Sequence, residues 1–185
     1  SSDVKKYFDQ DAYAKTAYSS VTRLDGDLCE TNLEHNLIAL KTEVTSPSGE
    51  KSVTIKVVNA LTGSDLHSET EYFYDDTFSF NVELDKYPLI VFEKVVEETD
   101  GSSSLPADVS YYDYYLVKSS GGAELLMGGT KEVLKRYNSY VNSVMTFSIG
   151  NTTYWVNSKG EVIRELLSAV TEIYGNPNYF YAEYN

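Results

Sequence analysis

The chain offers few kinds of reactive side chain and many copies of two of them, carboxylates and tyrosines. One cysteine, Cys29, and two histidines, His35 and His67, stand against 28 aspartates and glutamates in 185 residues. Nucleophilic catalysis needs a thiol or hydroxyl beside a base, yet neither histidine belongs to an HExxH pair and no Gly-x-Ser-x-Gly elbow occurs. Cys29 therefore reads as a small buried hydrophobe, and His67, between Leu66 and Ser68, as a half-exposed strand residue. Gly121-Gly122 and Gly128-Gly129 lack the Lys-Ser/Thr and the helix start that a phosphate-cradling loop requires. Hard oxygen ligands are better supplied. Asp25-Gly26-Asp27 with Glu30 clusters carboxylates on one turn, so Asp25, Asp27 and Glu30 are the candidate ligands for Ca²⁺, which takes oxygen donors from flexible loops. They do not match the calcium loop of about twelve residues that closes on a Glu, and a solvated acidic turn is the competing reading. No other cofactor is indicated. A glycosidase pair is defined by spatial separation, and nothing in the sequence selects two carboxylates for it.

The tyrosines carry the remaining chemistry. There are 17 of them against 7 phenylalanines, more hydroxyls than a dry core has use for. Tyr111, Tyr112, Tyr114 and Tyr115 surround Asp113, and further clusters stand at Tyr72-Phe73-Tyr74 and Tyr179-Phe180-Tyr181. On a strand, Tyr112 and Tyr114 share one face and Tyr111 and Tyr115 the other. Exposed Tyr and Trp give large contact area at low entropic cost, so Tyr112, Tyr114, Tyr154 and Trp155 are the candidate ligand-binding residues. Stacking on sugar rings or on a protein partner would use the same faces. The competing reading is ordinary cross-strand packing of sheet aromatics.

Charge narrows the partners. A formal charge of -13 and a pI near 4.5 repel phosphate backbones and anionic lipid, which argues against nucleic-acid and membrane-surface roles. A lone cysteine excludes an internal disulfide framework and any multi-thiolate metal site. No apolar run approaches the roughly 20 residues of a membrane helix; the densest stretch is Pro88 to Phe92. The start Ser1-Ser2-Asp3 reads as that of a trimmed chain. Small polar residues of this kind follow the lipidated cysteine of bacterial surface lipoproteins, which would put a lipid anchor upstream of Ser1; a tag remnant or an arbitrary domain cut is the competing reading. High acidity, low cysteine and abundant Tyr, Ser, Thr and Asn make the expected address extracytoplasmic.

The elements that must position these residues are mostly strands. Leu37 to Val44 is apolar, Ser46-Pro47-Ser48-Gly49 is a turn, and Val53, Ile55 and Val57 alternate. Asp65 to Tyr74 is a further strand, Phe78, Phe80, Val82 and Leu84 alternate again, and Tyr87 to Val96 is apolar on both faces and so central in a sheet. Residues 100–107 read as a flexible loop inside a single domain spanning 1–185. A grammar recurs at roughly 50-residue spacing. Val53–Val58 with Gly63 and Asp65, Tyr111–Val117 with Gly122 and Glu124, and Thr152–Val156 with Gly160 and Glu161 each follow an apolar strand: Leu37–Val44, Leu89–Val96 and Val144–Ile149.

The hairpins Tyr114-Tyr115-Leu116-Val117-Lys118-Ser119-Ser120-Gly121-Gly122 and Tyr154-Trp155-Val156-Asn157-Ser158-Lys159-Gly160-Glu161-Val162-Ile163 resemble those of β-propeller repeats in secreted bacterial proteins. The resemblance, which covers about half the chain, implies antiparallel blades. A fourth blade would have to join the tail to the segment around Ala17 to Leu24. The predicted class is mainly β, with antiparallel sheets and propeller-like repeats. The alternative is α+β with helices near 2–19, 130–141 and 161–174, the last supported by Val162, Ile163, Leu166, Leu167, Val170 and Ile173 at helical spacing.

The expected function is a non-enzymatic extracytoplasmic domain that binds a protein or a glycan through an aromatic and acidic surface. The rivals are a calcium-dependent hydrolase domain and a structural module of a surface assembly. A binding module should expose a Tyr/Trp patch and hold no strongly perturbed carboxylate. A hydrolase should gather acids with shifted pKa values in a concave pocket, and an assembly module should present an unpaired apolar edge strand.

Overall fold

The computed structural model describes residues 26–32, 34–85, 88–99, 101–102, 105–137, 144–167, 170–175 and 180–184. All regular structure among them is β. Strands β1 (Asp27–Asn32), β2 (Leu37–Thr45), β3 (Lys51–Asn59) and β4 (Asp65–Phe73) form a first antiparallel sheet in chain order. A second holds β5 (Ser79–Leu84), β6 (Leu89–Glu98), β7 (Ala107–Val117) and β8 (Ala123–Thr130). The third holds β9 (Leu134–Arg136), β10 (Met145–Ile149), β11 (Thr152–Val156) and β12 (Val162–Leu166), and β13 (Val170–Gly175) pairs with β14 (Phe180–Tyr184) in a separate hairpin. The repeated grammar of the sequence falls on the second, third and fourth strands of each four-stranded meander.

Local chemistry explains the turns. At Ser46–Glu50, Lys118–Gly122 and Asn157–Glu161 the first residue's carbonyl accepts from a glycine three positions on, and its own N–H donates to the carbonyl four positions on. This is a hairpin loop closed by a left-handed residue, a place for glycine. Asn157 strengthens its turn through Oδ1, which accepts from the backbone of Lys159 and Glu161, both at 3.0 Å. Gly160 is required twice over. Its φ is 75°, and a Cβ there would run into the carbonyl oxygen of Val117. That contact, with Ser119 N–H donating to Lys159 O at 3.0 Å, seats the β11–β12 turn on the end of β7.

The second sheet is the middle layer. Its Phe80, Leu84, Ile90 and Phe92 pack on Leu37, Ala39, Val53, Ile55 and Val57 of the first sheet. Its opposite face, Leu89, Val91, Tyr114 and Leu116, packs on Met145, Phe147, Ile149, Tyr154 and Val156 of the third. Residues 89–92 are thus buried on both faces, as their unbroken apolar run predicts. One residue ties the three layers together. Asp85, 5% exposed, follows β5. Its backbone carbonyl accepts from the Asn32 amide of β1, and its Oδ2 accepts from Arg136 Nε of β9 at 2.5 Å. Arg136 also reaches Glu83 Oε1 at 3.0 Å.

Two of the helices in the α+β alternative are overturned. Residues 130–137 carry the end of β8 and all of β9, and 161–174 is split between β12 and β13. The stripe from Val162 to Ile173 has helical spacing, but tertiary pairing decides: Thr153, Tyr154 and Trp155 pair with Leu166, Glu165 and Arg164, and helix propensity is worth only tenths of a kcal/mol per residue, roughly. The proposed helix at 2–19 and the blade segment at Ala17 to Leu24 lie outside the described residues. The three sheets stack in series and do not close into a ring among the described residues. Residues 101–102 and 105–106 link β6 to β7, and Ala107 is already in strand.

Candidate functional site

Strand parity assembles a polar cluster between the first and second sheets. Along β4, His67, Glu69, Glu71 and Phe73 turn toward the second sheet, while Ser68, Thr70 and Tyr72 face away and are exposed. Along β7, Tyr111, Asp113, Tyr115 and Val117 share the face that meets the first sheet, and β6 adds Phe92 and Lys94 beside them. The His67 ring lies on Tyr115, centroids 3.9 Å apart, and meets Phe92 edge-on at 5.6 Å. Its Nε2 is 3.2 Å from Glu69 Oε1.

Asp113 is aimed by a β-bulge. Tyr112 pairs with Thr130 and Tyr114 with Met127, so Gly128 and Gly129 together face Asp113. Gly129 N–H donates to Asp113 Oδ1 at 2.6 Å, and a Cβ on Gly128 would stand 3.2 Å from the same oxygen. The paired glycines, which serve no phosphate, let the backbone close on this carboxylate; bulges beside sites commonly re-aim a side chain in this way.

The electrostatics follow from this packing. Burial pushes the Glu69 carboxyl up to about 7, the Tyr115 hydroxyl bonded to it pulls the other way, and the charge and hydrogen bond of Asp113 add to the rise. A carboxyl group in contact with a second one ionises at a cost, so Glu69 holds its proton to higher pH. Burial lowers the pKa of His67, against the opposing pull of Asp113; it is neutral above its ordinary range. Burial also raises the Tyr115 hydroxyl, as does its bond to Glu69, so it stays a donor.

The cluster opens into a cavity of about 330 Å³ bounded by Glu71 of β4, Phe80 of β5, Phe92, Lys94 and Glu98 of β6, Tyr111 and Asp113 of β7 and Gly129 of β8. Phe80 and Phe92 stack at 5.8 Å and form its apolar floor. Lys94 Nζ stands 3.6 Å from Glu71 Oε2 across the two sheets. At the rim the Tyr111 hydroxyl donates to Glu98, and the Lys131 ammonium sits 5.3 Å from the Tyr111 ring centre. The walls thus offer carboxylate acceptors, one ammonium donor and a ring edge, which suits a ligand rich in hydroxyl or cationic donors.

The residues singled out in the sequence fall elsewhere. Tyr112 and Tyr114 do share a face and stack at 5.7 Å, but that face looks into the core against the third sheet. Tyr114 is 1% exposed, donating its hydroxyl to Glu132 O at 2.7 Å, and Tyr154 is 3% exposed, stacked on Phe147 at 5.4 Å. Trp155 points the opposite way from Tyr154, half-buried under the Arg164 guanidinium at 5.3 Å. These four side chains therefore do not form one exposed platform. Asp25 lies outside the described residues; Asp27 and Glu30 lie on β1, separated by a bulge at Cys29. Cys29 is exposed rather than buried, with Sγ near Ala39 O at 3.4 Å. At the opposite edge of the first sheet, Tyr72 on β4 and Tyr74 just after it are widely exposed. Glu69, Glu71 and Asp113 were missed. The signal available was the alternation His67-x-Glu69-x-Glu71, matched by Tyr111-x-Asp113-x-Tyr115. Comparison of the chain with protein-family models, with curated proteins and with solved structures finds no match.

Proposed function

We propose that the protein is a non-enzymatic extracytoplasmic binding domain whose ligand, a glycan, sits in the cavity between β4 and the second sheet. The observation that carries this reading is the wall itself: Glu71, Glu98, Asp113 and Lys94 ring an aromatic floor in about 330 Å³. Carboxylates accept from paired sugar hydroxyls, an ammonium donates to ring and hydroxyl oxygens, and aromatic rings take the apolar face of a sugar. The bulge, the Gly129 N–H bond to Asp113 and inter-sheet packing hold the wall in place before the ligand arrives, which lowers the ordering cost of binding.

One observation favours a hydrolase instead: Glu69 is a perturbed carboxylate next to a concave acidic pocket. Against it, Glu69 is 13% exposed and stands behind the wall, engaged by Tyr115, Asp113 and His67, whereas glycosidase carboxylates flank the scissile bond at a separation of roughly 5–9.5 Å. A glycan array probed with the wild-type protein, Tyr111→Phe and Asp113→Asn tests both readings. Binding of a neutral oligosaccharide, weakened about tenfold or more in each variant, with no release of reducing ends, supports the proposal. Reducing ends released by the wild type and lost in Asp113→Asn would make the site catalytic. Absence of binding, or binding unchanged in both variants, would remove the cavity as the site.

A further inference from the structure

A second cavity, of about 290 Å³, lies where all three sheets meet. Its floor is apolar: Leu37 at the start of β2, Met145 at the start of β10, Val117 at the end of β7 and Pro88 just before β6. Its rim carries Lys118 and Lys159. We propose that this cavity binds a small monocarboxylate with a branched apolar body of leucine size, its carboxylate at Lys159 and its body against Val117 and Pro88, next to Met145.

Charge is the first argument. The chain has 28 acidic residues against 15 basic ones, yet no Asp or Glu lines this cavity and two lysines do. Lys118 is already paired with Glu124 outside the lining, which leaves Lys159 as the lysine that meets the ligand, with His35 also in the lining. The β11–β12 turn holds that lysine's backbone in place: Lys159 N–H donates to Asn157 Oδ1 at 3.0 Å, and its carbonyl accepts from Ser119 N–H at 3.0 Å. Preorganisation of this kind favours binding without a closing motion. The second argument is the floor. Leu37 and Met145 are almost wholly buried and close the bottom of the cavity, while Pro88 and Val117 keep part of their surface open beside them, so an apolar body gains contact there that an inorganic anion would not. The site is separate from the cavity between β4 and the second sheet and of opposite sign.

The chain contains 2 methionines, Met127 and Met145, and only Met145 lines this cavity. The test is a titration of protein labelled at the methionine methyls, followed by NMR, with N-acetyl-leucine, its amide, a tripeptide ending in leucine, and inorganic phosphate. One charge contact and one apolar body give a dissociation constant of about millimolar order. The expected result is a saturable shift of the Met145 methyl with Met127 unmoved, at least about tenfold weaker for the amide and for the Lys159→Ala protein. Lys159 is an exposed turn residue, so this variant keeps the fold. Tighter binding by the tripeptide would identify a peptide C-terminus as the source of the carboxylate, and tighter binding by N-acetyl-leucine a free acid. The proposal falls if acid and amide bind alike, if Lys159→Ala leaves affinity unchanged, if phosphate competes as well as the leucine carboxylate, or if Met145 does not move.

Discussion

A carboxyl that keeps its proton near neutrality links packing to pH. The Glu69 carboxyl titrates at about 7 instead of its ordinary 4.5 because it is buried between sheets and touches Asp113. The folded state therefore binds more protons than the unfolded state between those values, and stability falls as pH rises through that window. A tenfold change in proton affinity corresponds to about 1.4 kcal/mol; allowing for residual solvent contact, the loss from about pH 5 to pH 8 is about 2 kcal/mol. In Glu69→Gln this loss disappears, and the variant is the more stable protein at the alkaline end. Chemical denaturation of both proteins across that range measures it, and parallel pH profiles would contradict it. Asp113 was hidden in the sequence for a physical reason. It sits among four tyrosines with nothing to mark which face is buried, and only its pairing against Gly128 and Gly129 shows where it is aimed.

At the scale of strands and turns, the layers are joined at a few defined points. Arg136 of β9 neutralises Asp85, 5% exposed, at the end of β5. Truncation by Arg136→Met leaves a buried carboxylate without its cation and is expected to cost about 3 kcal/mol. Adding Asp85→Asn should recover part of that cost, and a double-mutant cycle by urea unfolding reads the coupling; strict additivity would show that the two side chains do not interact. Gly160→Ala forces a non-glycine residue to φ 75° against the Val117 carbonyl, for an expected loss of about 2 kcal/mol or more, visible as a lower midpoint of thermal unfolding. Strands were legible wherever one face was apolar, as in Val53, Ile55 and Val57. They were ambiguous at residues 161–174, where apolar side chains fit two periods and only the pairing of β12 with β11 and of β13 with β14 decides.

Across the whole molecule, three consecutive meanders stack face to face with the second in the middle, and each interface has its own character. The interface between the second and third sheets is apolar and aromatic, which is where Tyr114 and Tyr154 went. The interface between the first and second sheets is apolar beside β2 and β3 and turns polar at β4, and the cavity opens there. Meander order and turn positions could be read from the recurring strand-Gly-strand grammar; the cavity could not, because it depends on which sheet face meets which. The burial of Tyr114 and Tyr154 was hidden for the same reason, since a strand's tyrosines reveal their parity but not the layer that covers them.

The most direct test of the binding reading follows backbone amides by NMR while a neutral oligosaccharide is added. Gly129 N–H, held by Asp113 at 2.6 Å, and the amides of Lys94 and Tyr111 should shift together and saturate with one dissociation constant. Those shifts should be lost in Asp113→Asn. Saturable shifts centred on Tyr72 and Tyr74, with Gly129 unmoved, would contradict the account and place the ligand on the outer face of β4.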